Sequence, residues 1–343
     1  MCTLALRYLN GEGVTKDPAK AFELYQRAAD LNDPDAICRL GTCYYNGQGV
    51  TKDLAEAIKL YQRAADLNDS DAIFNLGNCY AEGEGVPKNP AKAVELYKRA
   101  ADLNFPGAIF NLGTCYENGE GVPKDLAEAI KLYQRAADLN DSDAIFNLGN
   151  CYAEGEGVPK NPAKAVELYQ RAADLNHPGA IYSLGACYAN GKGVSKDQAK
   201  AAELYRRAAD LNEPSAIFNL GVCYEDGVGV HEDLDHAIRL YNKAIERGFS
   251  LAMVAMADIW RTGKGVPKDE GRAVKLYTRA ADQDYPGAVY DLAICFMKGV
   301  AVPKDARHAM REFRRAADLG HENAKKVVVS MQGGRSFFPV FEG

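Results

Sequence analysis

Apolar residues never run long enough in this sequence to cross a bilayer, which takes about 18 in succession. The first residues, Met1-Cys2-Thr3-Leu4-Ala5-Leu6-Arg7-Tyr8, lack a basic segment leading into an apolar core, so no secretory signal is expected. Basic residues hold no majority: 41 Lys and Arg stand against 47 Asp and Glu, for a net charge of -6. They are spread along the chain, without the clustered basic face that nucleic acid requires. There are only five histidines, and no C-x-x-C pair or Cys–His cluster offers zinc ligands. The five (His177, His231, His236, His308 and His321) share no helical face and are expected at the surface. S-x-x-K is missing, as is the full G-x-x-x-x-G-K-[ST] phosphate loop, and no nucleophile–base pair emerges. Enzymatic activity, a metal and a cofactor are all unexpected on these grounds. Nucleic acid and membrane are not expected as partners.

What the sequence does have is repetition. Ala36, Ala72, Ala108, Ala144, Ala180, Ala216, Ala252, Ala288 and Ala324 open the same pattern at a strict 36-residue period, and residues 52–97 recur unchanged as 124–169. In one unit, Ala72 to Tyr80 spaces Ile73, Leu76 and Tyr80 as one face of a helix. Gly83 and Gly85 end it, because glycine accepts backbone angles that other residues resist. Asn89-Pro90 begins a second helix, with Asn as cap and Pro in the first turn. Asp53, Asp125, Asp197, Asp233, Asp269 and Asp305 take the cap position elsewhere. The second helix, Ala91 to Leu103, places Ala93, Leu96, Tyr97, Ala100 and Ala101 in one stripe. It ends at Asn104, whose equivalents are Asn32, Asn68, Asn140, Asn176, Asn212, Gly248, Asp284 and Gly320. Exchange of Asn with Gly marks a left-handed C-terminal residue. A single hairpin is too small to bury its own stripe, so it must stack on its neighbours. Gly77, Ala93 and Ala100 leave room for an adjacent ring. The fold class is therefore all-α, an α/α solenoid of 36-residue hairpins forming a curved superhelix. Residues 1–332 read as one continuous solenoid: a partial repeat at 1–35, eight full repeats at 36–323 and a degenerate cap helix at 324–332. Residues 333–343 form a C-terminal tail, whose Phe337-Phe338-Pro339-Val340-Phe341 could cover Val327, Val328 and Val329 or dock in another molecule's groove, so self-association through the ends is possible.

Nine cysteines are numerous for a chain with no disulfide logic. Seven form a ladder, Cys43, Cys79, Cys115, Cys151, Cys187, Cys223 and Cys295, with Ile259 in the gap, and Cys2 and Cys38 lie outside it. Equivalent helices in neighbouring repeats stand about 8–10 Å apart, beyond the roughly 7 Å reach of a disulfide. Ile at the same position points to a small apolar slot, so all nine are expected to be free thiols.

The pattern A-x-x-x-L-G-x-x-Y-x-x-G-x-G-V followed by A-x-x-L-Y-x-R-A-A resembles the Sel1-like repeat, a subtype of the tetratricopeptide class. Ala108, Leu112, Gly113, Tyr116, Gly119, Gly121, Val122, Ala129, Leu132, Tyr133, Arg135, Ala136 and Ala137 carry it in one unit. Ala257, Trp260, Ala293, Phe296 and Ala301 depart from it. The resemblance implies a scaffold or adaptor. One secreted branch of the family is cysteine-rich, with hairpin clips eight residues apart and weak β-lactamase activity described for some members. Here those positions hold Ala29 with Ile37, Ala65 with Ile73 and Ala101 with Ile109, which argues against that branch. A cytoplasmic location follows as the expectation.

One constellation has a binding geometry. Phe74, Phe110, Phe146, Tyr182, Phe218 and Tyr290 occupy one equivalent position on the first helix. Asn75, Asn111, Asn147 and Asn219 follow them directly, and Asn78 and Asn150 lie a turn away. The resemblance implies that first helices line a concave groove in which asparagines hold a peptide backbone. The alternative is that the rings pack between repeats while the asparagines satisfy buried groups. Acids such as Glu82, Glu117, Glu154, Glu225 and Asp226 favour an apolar ligand with basic flanks. The leading expectation is a non-catalytic scaffold that takes an extended peptide or partner protein in the groove. Two others stay open: an envelope or host-interaction factor with weak β-lactamase-like or glycan-binding activity, and a purely architectural spacer.

Overall fold

The computed structural model describes residues 1–332, all of its regular structure being helical. The helices are α1 (Cys2–Asn10), α2 (Pro18–Ala29), α3 (Pro34–Asn46), α4 (Leu54–Asp66), α5 (Ser70–Glu82), α6 (Pro90–Asp102), α7 (Pro106–Asn118), α8 (Leu126–Asp138), α9 (Ser142–Glu154) and α10 (Pro162–Asp174). They continue as α11 (Pro178–Asn190), α12 (Gln198–Asp210), α13 (Pro214–Asp226), α14 (Leu234–Glu246), α15 (Ser250–Thr262), α16 (Glu270–Ala281), α17 (Pro286–Lys298), α18 (Ala306–Asp318) and α19 (Glu322–Gln332). The chain divides into two compact units, Met1–His177 and a second from Pro178 onward. Within each, every helix packs on the next in chain order, the arrangement of a helical-hairpin solenoid. The expected tail at 333–343, with its aromatic run, lies outside the described residues.

The caps explain why the hairpins begin and end where they do. Asn89 accepts the Lys92 amide at 3.1 Å, and Asp53, Asp125, Asp197, Asp233, Asp269 and Asp305 cap their second helices likewise. The left-handed residue after each second helix is Asn32, Asn68, Asn104, Asn140, Asn176, Asn212, Gly248, Asp284 or Gly320, the same nine positions marked by the Asn–Gly exchange. First helices start earlier than their apolar spacing suggests. Asp69 accepts the Ala72 amide at 2.8 Å, so α5 opens at Ser70 rather than at Ala72. The glycine loop is held by one recurring bond: the amide of the second-helix cap returns to the first-helix tyrosine carbonyl, as in Asn89 to Tyr80 at 2.7 Å.

Packing follows the small residues. A methyl group on Gly77 would stand 2.7 Å from Cε1 of Tyr97, so the ring that Gly77 admits belongs to the second helix and not to Tyr80. The buried rings lie on the second helices: Tyr25, Tyr61, Tyr97, Tyr133 and Tyr169 in the first unit and Tyr205, Tyr241, Tyr277 and Phe313 in the second. The first-helix tyrosines Tyr80 and Tyr116 are only half-buried. Arginines bind successive hairpins together. Arg135 donates to the Ala101 carbonyl at 2.5 Å and to Asn104 Oδ1 at 2.9 Å, and Arg63, Arg99 and Arg171 repeat the clamp. Five of the seven ladder cysteines are buried, Cys115 and Cys187 half so, and burial pushes the thiols of Cys43, Cys79, Cys115, Cys151 and Cys295 up to about 11. Cys38 and Cys2 stand one and two periods before Phe74, in the ring position itself.

Four of the five histidines depart from the expectation of surface residues. His177 stacks on Phe146, His236 on Tyr224, His308 on Phe296 and His321 on Tyr290, with ring centroids 3.8–4.6 Å apart. Only His231 is fully exposed. They share no helical face because their partners lie on other elements, which helical spacing cannot show.

Candidate functional site

The six rings singled out by the sequence are all half-buried and all sit against the second helix of their own hairpin. In the first unit, Phe74 meets Tyr97, Phe110 meets Tyr133 and Phe146 meets Tyr169 at centroid distances of 6.0, 5.7 and 5.9 Å. In the second, Tyr182 meets Tyr205, Phe218 meets Tyr241 and Tyr290 meets Phe313 at 5.8, 5.6 and 5.5 Å. Each ring thus has one side in the hairpin contact and part of its surface in solvent.

The asparagines already hold bonds within the stack. Asn78 Oδ1 accepts from the Tyr97 hydroxyl at 2.7 Å and from Asn111 Nδ2 of the next hairpin at 3.1 Å. The same geometry puts the Tyr169 hydroxyl 2.8 Å from Asn150 Oδ1, and Asn147 lies beside the Tyr133 hydroxyl. Asn75 Nδ2 lies 3.7 Å from Cys38 Sγ. Asn219 Nδ2 donates to the Ser215 carbonyl at 2.9 Å and to the Tyr182 hydroxyl at 3.3 Å. A buried hydroxyl without a partner would cost about 1–3 kcal/mol, so these side chains serve the tyrosines first. They also line a small polar pocket of about 200 Å³ in the first unit, where Asn75 and Asn78 meet Thr42, Tyr45 and Tyr61.

Acids join this row: Glu117 and Glu225, which the sequence had placed in the groove, and Asp258, which it had not. Tyr133 donates to Glu117 at 2.7 Å, Tyr241 to Glu225 at 2.5 Å and Tyr277 to Asp258 at 2.6 Å. Lys264 pairs with Glu225 at 2.8 Å, and Arg261 with Asp258 at 2.9 Å. Asp291 takes the position that Asn111 has in the first unit, facing Asp258 where Asn111 faces Asn78. Burial, reinforced by the Asp258 charge and opposed by Arg261, pushes its carboxyl up to about 7. The signal was available as an acid in an amide column, but it takes the tertiary contact with Asp258 to give it meaning.

A family model for the Sel1 repeat matches nine successive segments, residues 1–33, 34–69, 70–105, 106–141, 142–177, 178–213, 214–249, 250–285 and 286–321. The chain belongs to the Sel1 repeat family. Each segment from the second onward opens at the Pro or Ser that starts a first helix. Among solved structures, the chain is similar to a Sel1 repeat protein from Oxalobacter formigenes, at 34% identity and a TM-score of 0.68 over 72% of this chain and 99% of that one. It is also similar to c5321, a protective antigen present in uropathogenic Escherichia coli strains that displays the same fold. That match has 27% identity and a TM-score of 0.66, over 96% of this chain and 78% of that one. No curated protein matches the sequence significantly. Sel1 repeats generally serve as non-catalytic scaffolds for protein interaction. No helix among the described residues is long and apolar enough to cross a membrane.

Proposed function

We propose that this Sel1 repeat chain is a non-catalytic scaffold that holds an extended segment of a partner protein along its first helices. The observation that carries the reading is the row of half-buried rings at one position of successive hairpins. Phe74, Phe110, Phe146, Tyr182, Phe218 and Tyr290 would form the aromatic floor on which that segment lies. Asn75, Asn78, Asn111, Asn147, Asn150 and Asn219 would contribute the donors that their tyrosine bonds leave over, since each amide has two acceptor sites and two donors. Glu117 and Glu225 supply negative charge beside the rings, which favours a partner with basic flanks. Selection of a random peptide library on the immobilised chain tests the reading. Enriched peptides should bind with an affinity that falls about 5- to 100-fold on Phe110→Ala, equivalent to roughly 1–3 kcal/mol for a central anchor. Enriched peptides that ignore substitutions at Phe74, Phe110 and Asn78 would place recognition elsewhere.

A second reading, a host-facing or envelope factor, draws support from the likeness to the Escherichia coli protective antigen across 96% of the chain. Export of the full-length gene product from its own cell would support it, and retention in the cytosol would count against it.

A further inference from the structure

From α3 onward, the residue just before each first helix takes one of two forms. It is aromatic at Phe105, His177, Phe249, Tyr285 and His321, and acidic at Asp33, Asp69, Asp141 and Glu213. The residue two places on follows suit in six of these nine repeats, the exceptions being Ser215, Leu251 and Asn323. Gly107, Gly179 and Gly287 follow aromatics, whereas Asp35, Asp71 and Asp143 follow acids.

The structure gives the reason. The Phe105 ring lies on Phe74 of the preceding hairpin, centroids 5.0 Å apart, and a methyl group on Gly107 would stand 3.3 Å from Phe105 and 3.5 Å from Phe74. His177 covers Phe146 at 4.6 Å, Phe249 covers Phe218 at 5.6 Å and His321 covers Tyr290 at 4.3 Å. An acid at this position turns back to cap its own helix instead: Asp141 accepts the Ala144 amide at 2.8 Å. No second ring then lies on Phe110 among the described residues. Within the first unit, then, Phe74 and Phe146 carry a second ring, and Phe110, between them, carries none among the described residues.

The two earliest hairpins show where such acids sit. Cys2 and Cys38 occupy the ring position there. The ligand atoms of Cys2, Asp33 and Asp35 lie within 4.8 Å of one another, and the charges of Asp69 and Asp71 act on Cys38. Two repeats after Cys38, Asp141 and Asp143 hold the equivalent places relative to Phe110. The Asp143 side chain is 61% exposed, and one of its oxygens lies 3.1 Å from His177 Nε2.

We propose that Phe110, bordered by Asp141 and Asp143, is where the first unit receives a basic side chain of its partner, and that the residue before each first helix decides which rings are open. A guanidinium or ammonium group is attracted to the face of an aromatic ring and forms charge-assisted hydrogen bonds with a carboxylate beside it. A covered ring has that face taken by Phe105 or His177. The proposal rests on the groove reading and names the chemistry of one position in it.

The probe is n-butylguanidinium, with n-butylurea as its neutral counterpart, added to the full chain carrying 13C-labelled phenylalanine. Phe110 ring signals, assigned with Phe110→Leu, should shift saturably with the cation and at least five-fold less with the urea. Phe74 and Phe146 should stay still. Replacing Phe105→Asp with Gly107→Asp should open Phe74 and make it respond. Asp141→Phe with Asp143→Gly should weaken the Phe110 response at least tenfold. The first exchange gains a response, which unfolding cannot imitate, so the test survives if the second pair fails to fold. Equal responses of Phe74 and Phe110 in the parent, or a silent Phe74 in the opened variant, overturn the proposal. Library peptides that still lose affinity on Phe110→Ala would leave the groove reading standing in that case. Peptides indifferent to Phe110→Ala alongside a cation response at Phe110 would sink the groove reading alone.

Discussion

Replacing Gly113 by Ala sets two known effects against each other in the middle of α7. In an ordinary helix interior, Gly→Ala stabilises by about 1 kcal/mol. Here the new methyl group would stand 2.8 Å from Cε1 and 2.9 Å from Cδ1 of Tyr133, and 3.4 Å from the Ala129 carbonyl oxygen. Carbon atoms prefer about 3.5–4.0 Å, so the ring would have to retreat by more than half an ångström. It has nowhere to go: Tyr133 is 0% exposed, and its hydroxyl is tied to Glu117 at 2.7 Å. Overpacking of a closed core costs about 1–3 kcal/mol, which outweighs the propensity gain and leaves a net loss of roughly 1 kcal/mol. Gly107→Ala is the control, because its methyl group would meet only the half-buried rings of Phe105 and Phe74, at 3.3 and 3.5 Å. It should stay within about 0.5 kcal/mol of the parent. Urea denaturation followed by circular dichroism, with hydrogen exchange read on α7 and α8, measures both. If Gly113→Ala is as stable as the parent or more so, Tyr133 is not the barrier and the packing argument fails.

Three further outcomes follow from the same contacts. Arg135→Ala removes charge-assisted bonds to the Ala101 carbonyl and Asn104, and should cost about 1.5–3 kcal/mol, with exchange protection falling first where α6 meets α8; unchanged protection there would show the clamp to be idle. Asp291 is held protonated up to about pH 7 when folded but ionises near its ordinary value when unfolded, so its contribution is complete in acid and is lost as pH rises through about 7. Asp291→Asn should therefore gain melting temperature relative to the parent between pH 5 and pH 8, and a flat difference would contradict the buried carboxyl. All nine cysteines should react with a thiol reagent once the chain is denatured without reductant, while the buried ladder thiols, pushed up by burial, should react slowly in the native chain; a count below nine would reveal a disulfide.

The hairpin was legible because its determinants are local. Asn89, Pro90 and Gly83 state where helices begin and end within a few residues, and the left-handed Asn and Gly column could be read position by position. The Asp69 cap was passed over because Asn68 and Asp69 look like one polar break, although one ends a helix and the other starts the next. Contacts between elements were the hidden part. A strict period fixes which residues are equivalent but not which columns touch, so Gly77 could be recognised as making room without revealing that the ring belongs to Tyr97. The histidines failed for the same reason: His177 and His321 lie over rings of the preceding hairpin, far away in sequence. For the ring and amide row, the sequence supplied the members and left the bonds among them unstated.

Those bonds explain how such a stack can vary its groove without disturbing its fold. Each second-helix ring is fixed by Gly or Ala on the first helix, but its hydroxyl needs only some partner, and several residues can supply one. In the first unit Thr42, Asn78, Thr114 and Asn150 lie at the same position, and all four contact the tyrosine hydroxyl of their hairpin. In the second unit Asp258 does so, and at Tyr241 the role passes to Glu225 one turn on. Where the hydroxyl itself is missing, at Phe313, the same position becomes Ile294, which packs against the apolar cluster around that ring. The residue facing the hydroxyl is thus constrained by one hydrogen bond, while its charge and size are free to change beside the first-helix rings. Neutral amides at Asn78 and Asn111 and carboxyl groups at Asp258 and Asp291 are two settings of the same junction, so the two units offer different chemistry on one repeated backbone.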